Sequence, residues 1–182
     1  MKGLILLGDR FEDTEALTTI DVLLRAGEEI VRASVMDTLE VVSQYNLKIL
    51  CDELLTNIDY KSFDYLIIPG GKASFTILDK IPLVDEVIEY FYSSKKLIAS
   101  ICAAPHLLAR KGYFDNRIFT CFPGFETYSK NGIYRQDLGV YKDDRFVTAK
   151  SMYYSIDFAL NILEFLYGNE GIEELKNRLK GE

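Results

Sequence analysis

This chain of 182 residues has one histidine, three cysteines, four prolines and no tryptophan. With a single histidine, a zinc site would need all three cysteines or carboxylates gathered from distant segments, so no metal is expected. An odd cysteine count in a chain large enough to build its own core implies free thiols and not a disulfide framework. Positive charge is in deficit, with 21 Lys and Arg against 28 Asp and Glu and a net charge of -7. That balance leaves no basic footprint for nucleic acid or an anionic membrane surface. The opening "MKGLILLGDR" holds an apolar run too short to span a bilayer, and charged residues follow where a signal peptide would continue. A cytosolic protein without membrane attachment is expected. There is also no Pro/Gly/Ser-rich linker, repeat or low-complexity stretch, so residues 1–182 are expected to form one domain.

What is present is a succession of apolar segments. Hydrophobic residues make up 48% of the chain. Gly3 to Leu7 has the character of a buried strand, and Asp13 to Ala26 that of a helix with apolar residues at helical spacing, closed by Gly27. A strand over Glu29 to Met36 follows, then a short β excursion over Glu40 to Ser43 and Leu47 to Cys51, and the apolar strand "YLIIPGG". Next come a helix over Leu83 to Ser93, the strand "KLIASI", a helix over Ala103 to Lys111 and the strand "IFTCF". The remainder predicts a hairpin, "VYKDDRFVTA", turning at Asp143-Asp144, a helix over Tyr153 to Tyr167 and a last helix near Ile172 to Leu179. Alternating buried strands and helices predict an α/β fold, a mostly parallel sheet with helices on both faces.

In such a sheet, ligands bind beyond the carboxyl ends of the strands. Four groups lie there: the acidic loop leading to Glu15, the Gly70-Gly71 pair, Cys102 after "KLIAS", and Cys121 after "IFT". Cys102 is flanked by Ser100, Ala103 and Ala104, and small neighbours are what a nucleophile on a strained strand-to-helix corner requires. A small buried hydrophobe is the alternative for any cytosolic cysteine. A helix N-terminus contributes only about 0.3 to 1 kcal/mol toward a thiolate, less than one pKa unit, so a charge-assisted hydrogen bond would also be needed. Glu15 could donate it if burial and acidic neighbours keep it protonated; otherwise it merely complements the dipole of its own helix. Gly70-Gly71 is either a tight loop or a place where bare backbone N–H groups approach a reacting oxygen.

Together, "FEDTEALTTIDVLLRAG", "IIPGG" and "SICAAP" resemble the ThiJ/PfpI superfamily, in the branch typified by the Parkinson-disease protein DJ-one, over nearly the whole chain to "IDFALNILEFL". The resemblance implies a flavodoxin-like sandwich, usually a homodimer, with Cys102 as the reactive cysteine of a nucleophile elbow. It also implies Glu15 as the protonated glutamate and Gly71 and Ala103 as backbone oxyanion donors. No cofactor is expected. Roles in that branch include glyoxalase and deglycase chemistry on small dicarbonyls, chaperoning, and oxidation of the cysteine as a stress signal.

The sequence departs from the family pattern at several points. Where glyoxalases of the branch often carry a histidine this chain has "TCFPGF", making Cys121 a candidate pocket residue or resolving thiol. His106 is expected at the surface or in packing, and Cys51 in the core or a dimer interface. Ala103 follows the cysteine where the peptidase-like branch has histidine, so proteolysis is not expected. "KSMYY" (Lys150 to Tyr154) replaces an Arg-Gly-Pro-Gly segment, and both of its tyrosines are expected to pack. Three functions remain: a slow cysteine-dependent enzyme acting on a small aldehyde or dicarbonyl, a redox sensor or chaperone using the same thiol, or a binding module in which the cysteine is inert.

Overall fold

The computed structural model describes residues 1–182. In chain order its elements are β1 (Lys2–Leu7), α1 (Asp13–Arg25), β2 (Glu29–Ser34), β3 (Glu40–Val42), β4 (Lys48–Leu50), β5 (Glu53–Leu54), β6 (Tyr65–Ile68), α2 (Lys72–Thr76), α3 (Pro82–Ser93) and β7 (Leu97–Ile101). Then follow α4 (His106–Ala109), β8 (Ile118–Phe119), β9 (Ile133–Tyr134), β10 (Val140–Lys142), β11 (Phe146–Ala149), α5 (Ser155–Tyr167) and α6 (Glu173–Lys180).

Seven strands form the central sheet in the order β10-β11-β7-β6-β1-β2-β5. Every pairing is parallel except the β10–β11 hairpin. α1 and α5 pack against each other along the sheet, and α3 packs on β6 and β7, giving a flavodoxin-like sandwich with helices on both faces. Because both faces are covered, β6 and β7 are buried at every position, which is why they are continuous apolar runs in sequence and do not alternate. One hydrophobic cluster runs through these strands and the inner sides of α1, α3 and α5. The chain builds outward from β1 to β2 and β5, then reverses to place β6 and β7 on the other side of β1. The carboxyl ends of β1 and β6 therefore flank a topological switch point, where a crevice opens because the connections diverge.

Several boundaries differ from expectation, each with a local cause. "IFTCF" contributes only Ile118 and Phe119 as strand, paired with β9 in a separate two-stranded sheet. Its next residues leave the ladder because the Thr120 N–H donates to Thr148 Oγ1 at 3.1 Å and the Phe122 N–H to the Cys102 carbonyl at 2.8 Å. The helix expected from Ala103 is a run of tight turns until His106. Ala104, His106 and Leu107 each donate to the carbonyl three residues back, and Pro105 has no N–H to give. The last long helix starts at Ser155, after a 3₁₀ turn over Met152–Tyr154. Within that turn Tyr154 packs over Gly139, but Tyr153 is 82% exposed and packs little. β2 stops at Ser34, short of Met36, because the Ser34 hydroxyl turns to the Thr38 carbonyl at 2.6 Å and begins the loop. No helix is long and apolar enough to cross a membrane.

Candidate active site

Beyond the ends of β1, β6 and β7, three short segments converge. β7 runs straight into Cys102, whose φ of +64° is left-handed, a conformation that costs a side-chain-bearing residue about 1 to 2 kcal/mol. Two backbone bonds hold it there: its N–H donates to the Ala149 carbonyl at the end of β11, 2.9 Å away, and its carbonyl accepts from Phe122. The corner is thus clamped from two directions, and the side chain projects off the sheet edge instead of into the core. Since no regular helix begins at Cys102, stabilisation of charge on its sulfur comes from individual amides. The N–H groups of Gly71 and Ala103 both face it.

Glu15 reaches the same point from the first turn of α1. Glu12 caps that helix, its carboxylate accepting the Glu15 N–H at 2.7 Å. The Glu15 side chain is 1% exposed. Its Oε2 accepts the Gly70 N–H at 2.8 Å, while Oε1 is buried without a hydrogen-bond partner, and the carboxyl lies against the Cys102 thiol. Burial, followed by the nearby Glu12 carboxylate, pushes the Glu15 carboxyl up to about 7. Burial and a charged Glu15 push the Cys102 thiol up as well, against the Ala103 and Gly71 N–H groups, which pull it down. The push from Glu15 exists only while Glu15 is ionised. With the proton on Glu15, repulsion becomes a donated hydrogen bond, and the two amides then favour the thiolate.

Gly70 is fixed by this geometry. A Cβ there would lie 2.7 Å from the Cys102 Cβ and 2.7 Å from Glu15 Oε2, so any other residue would drive the pair apart. Gly71, at φ +79°, turns the chain into α2 and presents its N–H to the sulfur.

A depression of about 400 Å³ opens over Cys102. Glu12, Glu15, Gly71, Cys102, Ala103 and Ser151 form its floor and near side, and Tyr45, Phe75, Phe122, Phe125 and Met152 its apolar wall, with Gln44 and Lys72 also lining it. Four of the expected site residues, Cys102, Glu15, Gly71 and Ala103, come together here. Cys121 is fully buried and does not line the depression, its thiol pushed up to about 12 by burial. Cys51 belongs to the core. His106 is 1% exposed and so not at the surface; its Nδ1 lies 2.8 Å from the Ala103 carbonyl, and its ring packs beside Phe125 and Tyr128. The aromatic wall was missed in the sequence because phenylalanines in loops carry no periodicity that separates a wall from a core. No group of three or more His, Cys, Asp and Glu is placed to hold a metal ion.

A profile described as the DJ-1/PfpI family matches residues 1–165. The chain belongs to the DJ-1/PfpI family. The Drosophila melanogaster protein dj-1beta is 30% identical over 97% of this chain and 95% of its own length. Its crystal structure superposes with a TM-score of 0.91 at 30% identity, covering 98% of this chain and 96% of that one. A Caenorhabditis elegans relative named glutathione-independent glyoxalase DJR-1.2 is 31% identical over 90% of this chain and 87% of its own. The oxidized form of Toxoplasma gondii DJ-1 matches with a TM-score of 0.88 at 28% identity, covering 98% and 97%.

The raised Glu15 has a sign that stability measurements read directly. A carboxyl whose folded pKa lies above its unfolded value binds more protons when folded. Its contribution is complete below about 4.5 and is lost as pH rises through about 7. In a Cys102→Ser background, where the thiol no longer titrates, the Glu15 share of the fall in stability across that window should be about 3 kcal/mol, beside that of Glu12, whose carboxyl is also raised by burial. Adding Glu15→Gln should flatten the fall, so the double variant gains on the single one at pH 8 and not at pH 4.5. Urea unfolding at the two pH values checks this; equal gains at both would place the Glu15 pKa at its ordinary value.

Proposed function

We propose that the protein is a slow, cysteine-dependent glyoxalase acting on small 2-oxoaldehydes. The observation that carries this reading is the juxtaposition of Cys102, the buried Glu15 carboxyl and the Gly71 and Ala103 N–H groups at one mouth. The Cys102 thiolate adds to the aldehyde carbon, forming the S–C bond, and the carbonyl electron pair becomes an oxyanion held by the two amides. Glu15 delivers its proton to that oxygen. As a carboxylate it next removes the hydrogen on the same carbon, and the freed pair moves to the neighbouring carbonyl oxygen to give an enediolate. Returning that proton to the second carbon, while the hydroxyl proton on the first oxygen passes to the second, makes the first carbon the carbonyl of a 2-hydroxy acid thioester, and one water hydrolyses it, releasing the acid and restoring the thiol. Methylglyoxal plus water thus gives lactate with no external oxidant or reductant. The name of the nematode relative supports this reading.

Glu15 serves the proton transfers because it is the acid that lies against Cys102: the Glu12 carboxyl lines the same depression but is engaged in capping α1, and His106 is turned away into packing. Conversion of methylglyoxal to lactate should therefore vanish in Cys102→Ser and fall about 10²- to 10⁴-fold in Glu15→Gln, the range removed with a general acid–base group. Turnover surviving in Cys102→Ser would refute the mechanism.

A second reading rests on the same thiol. Cys102 is partly exposed, whereas Cys51 and Cys121 are buried free thiols out of a peroxide's reach. The thiolate can transfer its electron pair to a peroxide oxygen, giving sulfenic acid and hydroxide, and a second peroxide takes the sulfenic acid on to the sulfinate. The oxidized Toxoplasma structure is of a related protein. Mass spectrometry after mild peroxide treatment should place the added oxygen on Cys102, and oxidation beginning at Cys51 or Cys121 would count against a sensor.

Exposed apolar side chains support the homodimer that the family resemblance implies. α1 exposes Leu17 and Leu24, and the β3–β4 hairpin exposes Leu47 and Leu50 at 50% and 65%. Sedimentation at micromolar concentration should give twice the chain mass; a monomer under those conditions would remove the proposal.

A further inference from the structure

The floor of the depression and its wall differ in chemistry. The reacting groups occupy only the deep end, and a three-carbon aldehyde would displace few of the roughly dozen waters that about 400 Å³ holds. The remaining volume is bounded by side chains that have no part in the proton transfers. Phe75 and Phe125 stand against each other with ring centroids 5.3 Å apart, and Phe122 and Met152 remain 46% and 48% exposed at the mouth. None of the four offers a hydrogen bond to a polar substituent.

Charge points the same way. The carboxyls of Glu12 and Glu15 lie on the floor, 9% and 1% exposed. The one cation of the lining is Lys72, which is exposed at the rim, where water and salt screen it. An anionic substrate would bring its charge toward the Glu12 carboxyl and the Cys102 thiolate without a buried cation to meet it.

We propose that this site selects neutral 2-oxoaldehydes bearing an aromatic or bulky apolar substituent, seated against Phe75, Phe122, Phe125 and Met152, and rejects those bearing a carboxylate. The inference rests on the glyoxalase reading for its reaction, but the selectivity belongs to the pocket and applies to any electrophile that Cys102 attacks. An aryl group entering the depression exchanges water contacts for ring contacts on more than one side, an interaction of the kind aromatic pairs make beyond simple burial. In this respect the wall determines specificity while the floor determines chemistry.

Two measurements separate the pocket from the reaction. The first compares kcat/KM for phenylglyoxal, methylglyoxal and 4,5-dioxopentanoate, a 2-oxoaldehyde that carries a carboxylate, with phenylglyoxal expected to lead methylglyoxal by about tenfold and the anion expected to be the poorest. In Phe122→Ala and Met152→Ala, both surface-exposed positions that should fold, the lead of phenylglyoxal over methylglyoxal should shrink about fivefold or more. The second needs no turnover: the rate of Cys102 alkylation by phenacyl bromide, bromoacetone and bromoacetate, each divided by its rate with glutathione. Phenacyl bromide should then be the most favoured and bromoacetate the least. If no oxoaldehyde is turned over but the alkylation order holds, the glyoxalase reading fails and the pocket's selectivity stands. An alkylation order no different from that of glutathione, or a preference for the anion, overturns the proposal whatever the turnover.

Discussion

Two acids placed against each other in a buried setting cannot both be charged, and the arrangement around Cys102 follows from that restriction. The Glu15 carboxyl and the Cys102 thiol have between them one favourable state at neutral pH that leaves a nucleophile: the proton on the carboxyl and the charge on sulfur. Gly70 has no Cβ because one would sit between them. The Glu12 cap on α1 holds the Glu15 backbone while adding negative charge that keeps its proton on. The left-handed Cys102 corner, tied to Ala149 and Phe122, keeps the sulfur from relaxing into the core, where it would become an inert thiol like Cys121. Burial underlies both shifts, and each of these features adjusts the pair on top of it.

Such a site is a local liability that the fold carries elsewhere. A carboxyl raised to about 7 and a strained corner both oppose folding. They are tolerated because the strands beneath them are buried on both faces, with β6 and β7 contributing apolar side chains at almost every position. The topological switch supplies the remaining condition. With β1, β6 and β7 adjacent, residues 15, 70, 71, 102 and 103 meet although up to 88 positions separate them in the chain.

The parts legible in the sequence are those with a strong physical signature. β1, β6 and β7 stand out as short apolar runs because a doubly covered parallel strand has no solvent side to mark with polar residues. α1 is bounded by its acidic first turn and by Gly27, which adopts a φ of +86°. Cys102 was legible from its small neighbours, whereas Glu15 could be placed against it only through the family resemblance, since on spacing alone it is equally a helix-dipole residue. The misplaced features depend on tertiary hydrogen bonds. "IFTCF" has the composition of a strand, but its amides at Thr120 and Phe122 are taken by Thr148 and Cys102, partners distant in sequence. The helix after Cys102 is mostly turns for the same reason, because the corner fixes where its first carbonyls point. α2, β5 and β9 are too short to carry a period at all.

His106 illustrates why a residue's chemistry cannot be assigned from its proximity in sequence to a nucleophile. Four positions after Cys102, it would face the sulfur's side on a regular helix, but the intervening turns direct it inward. There Nδ1 meets the Ala103 carbonyl, an acceptor with no proton to give, so that ring nitrogen must carry the hydrogen. Nε2 lies 3.4 Å from Asp79 Oδ1, and Arg110 shares that same oxygen at 3.1 Å. Burial pushes the imidazole down while the carbonyl and Asp79 favour its charged form. Its protonation is thus settled among Asp79, Arg110 and a backbone carbonyl, not by anything in the depression. The ring holds the turn whose first amide, at Ala103, faces the sulfur. The chain's only histidine is spent on the geometry of the corner, and the proton traffic proposed over Cys102 is left to a single carboxyl.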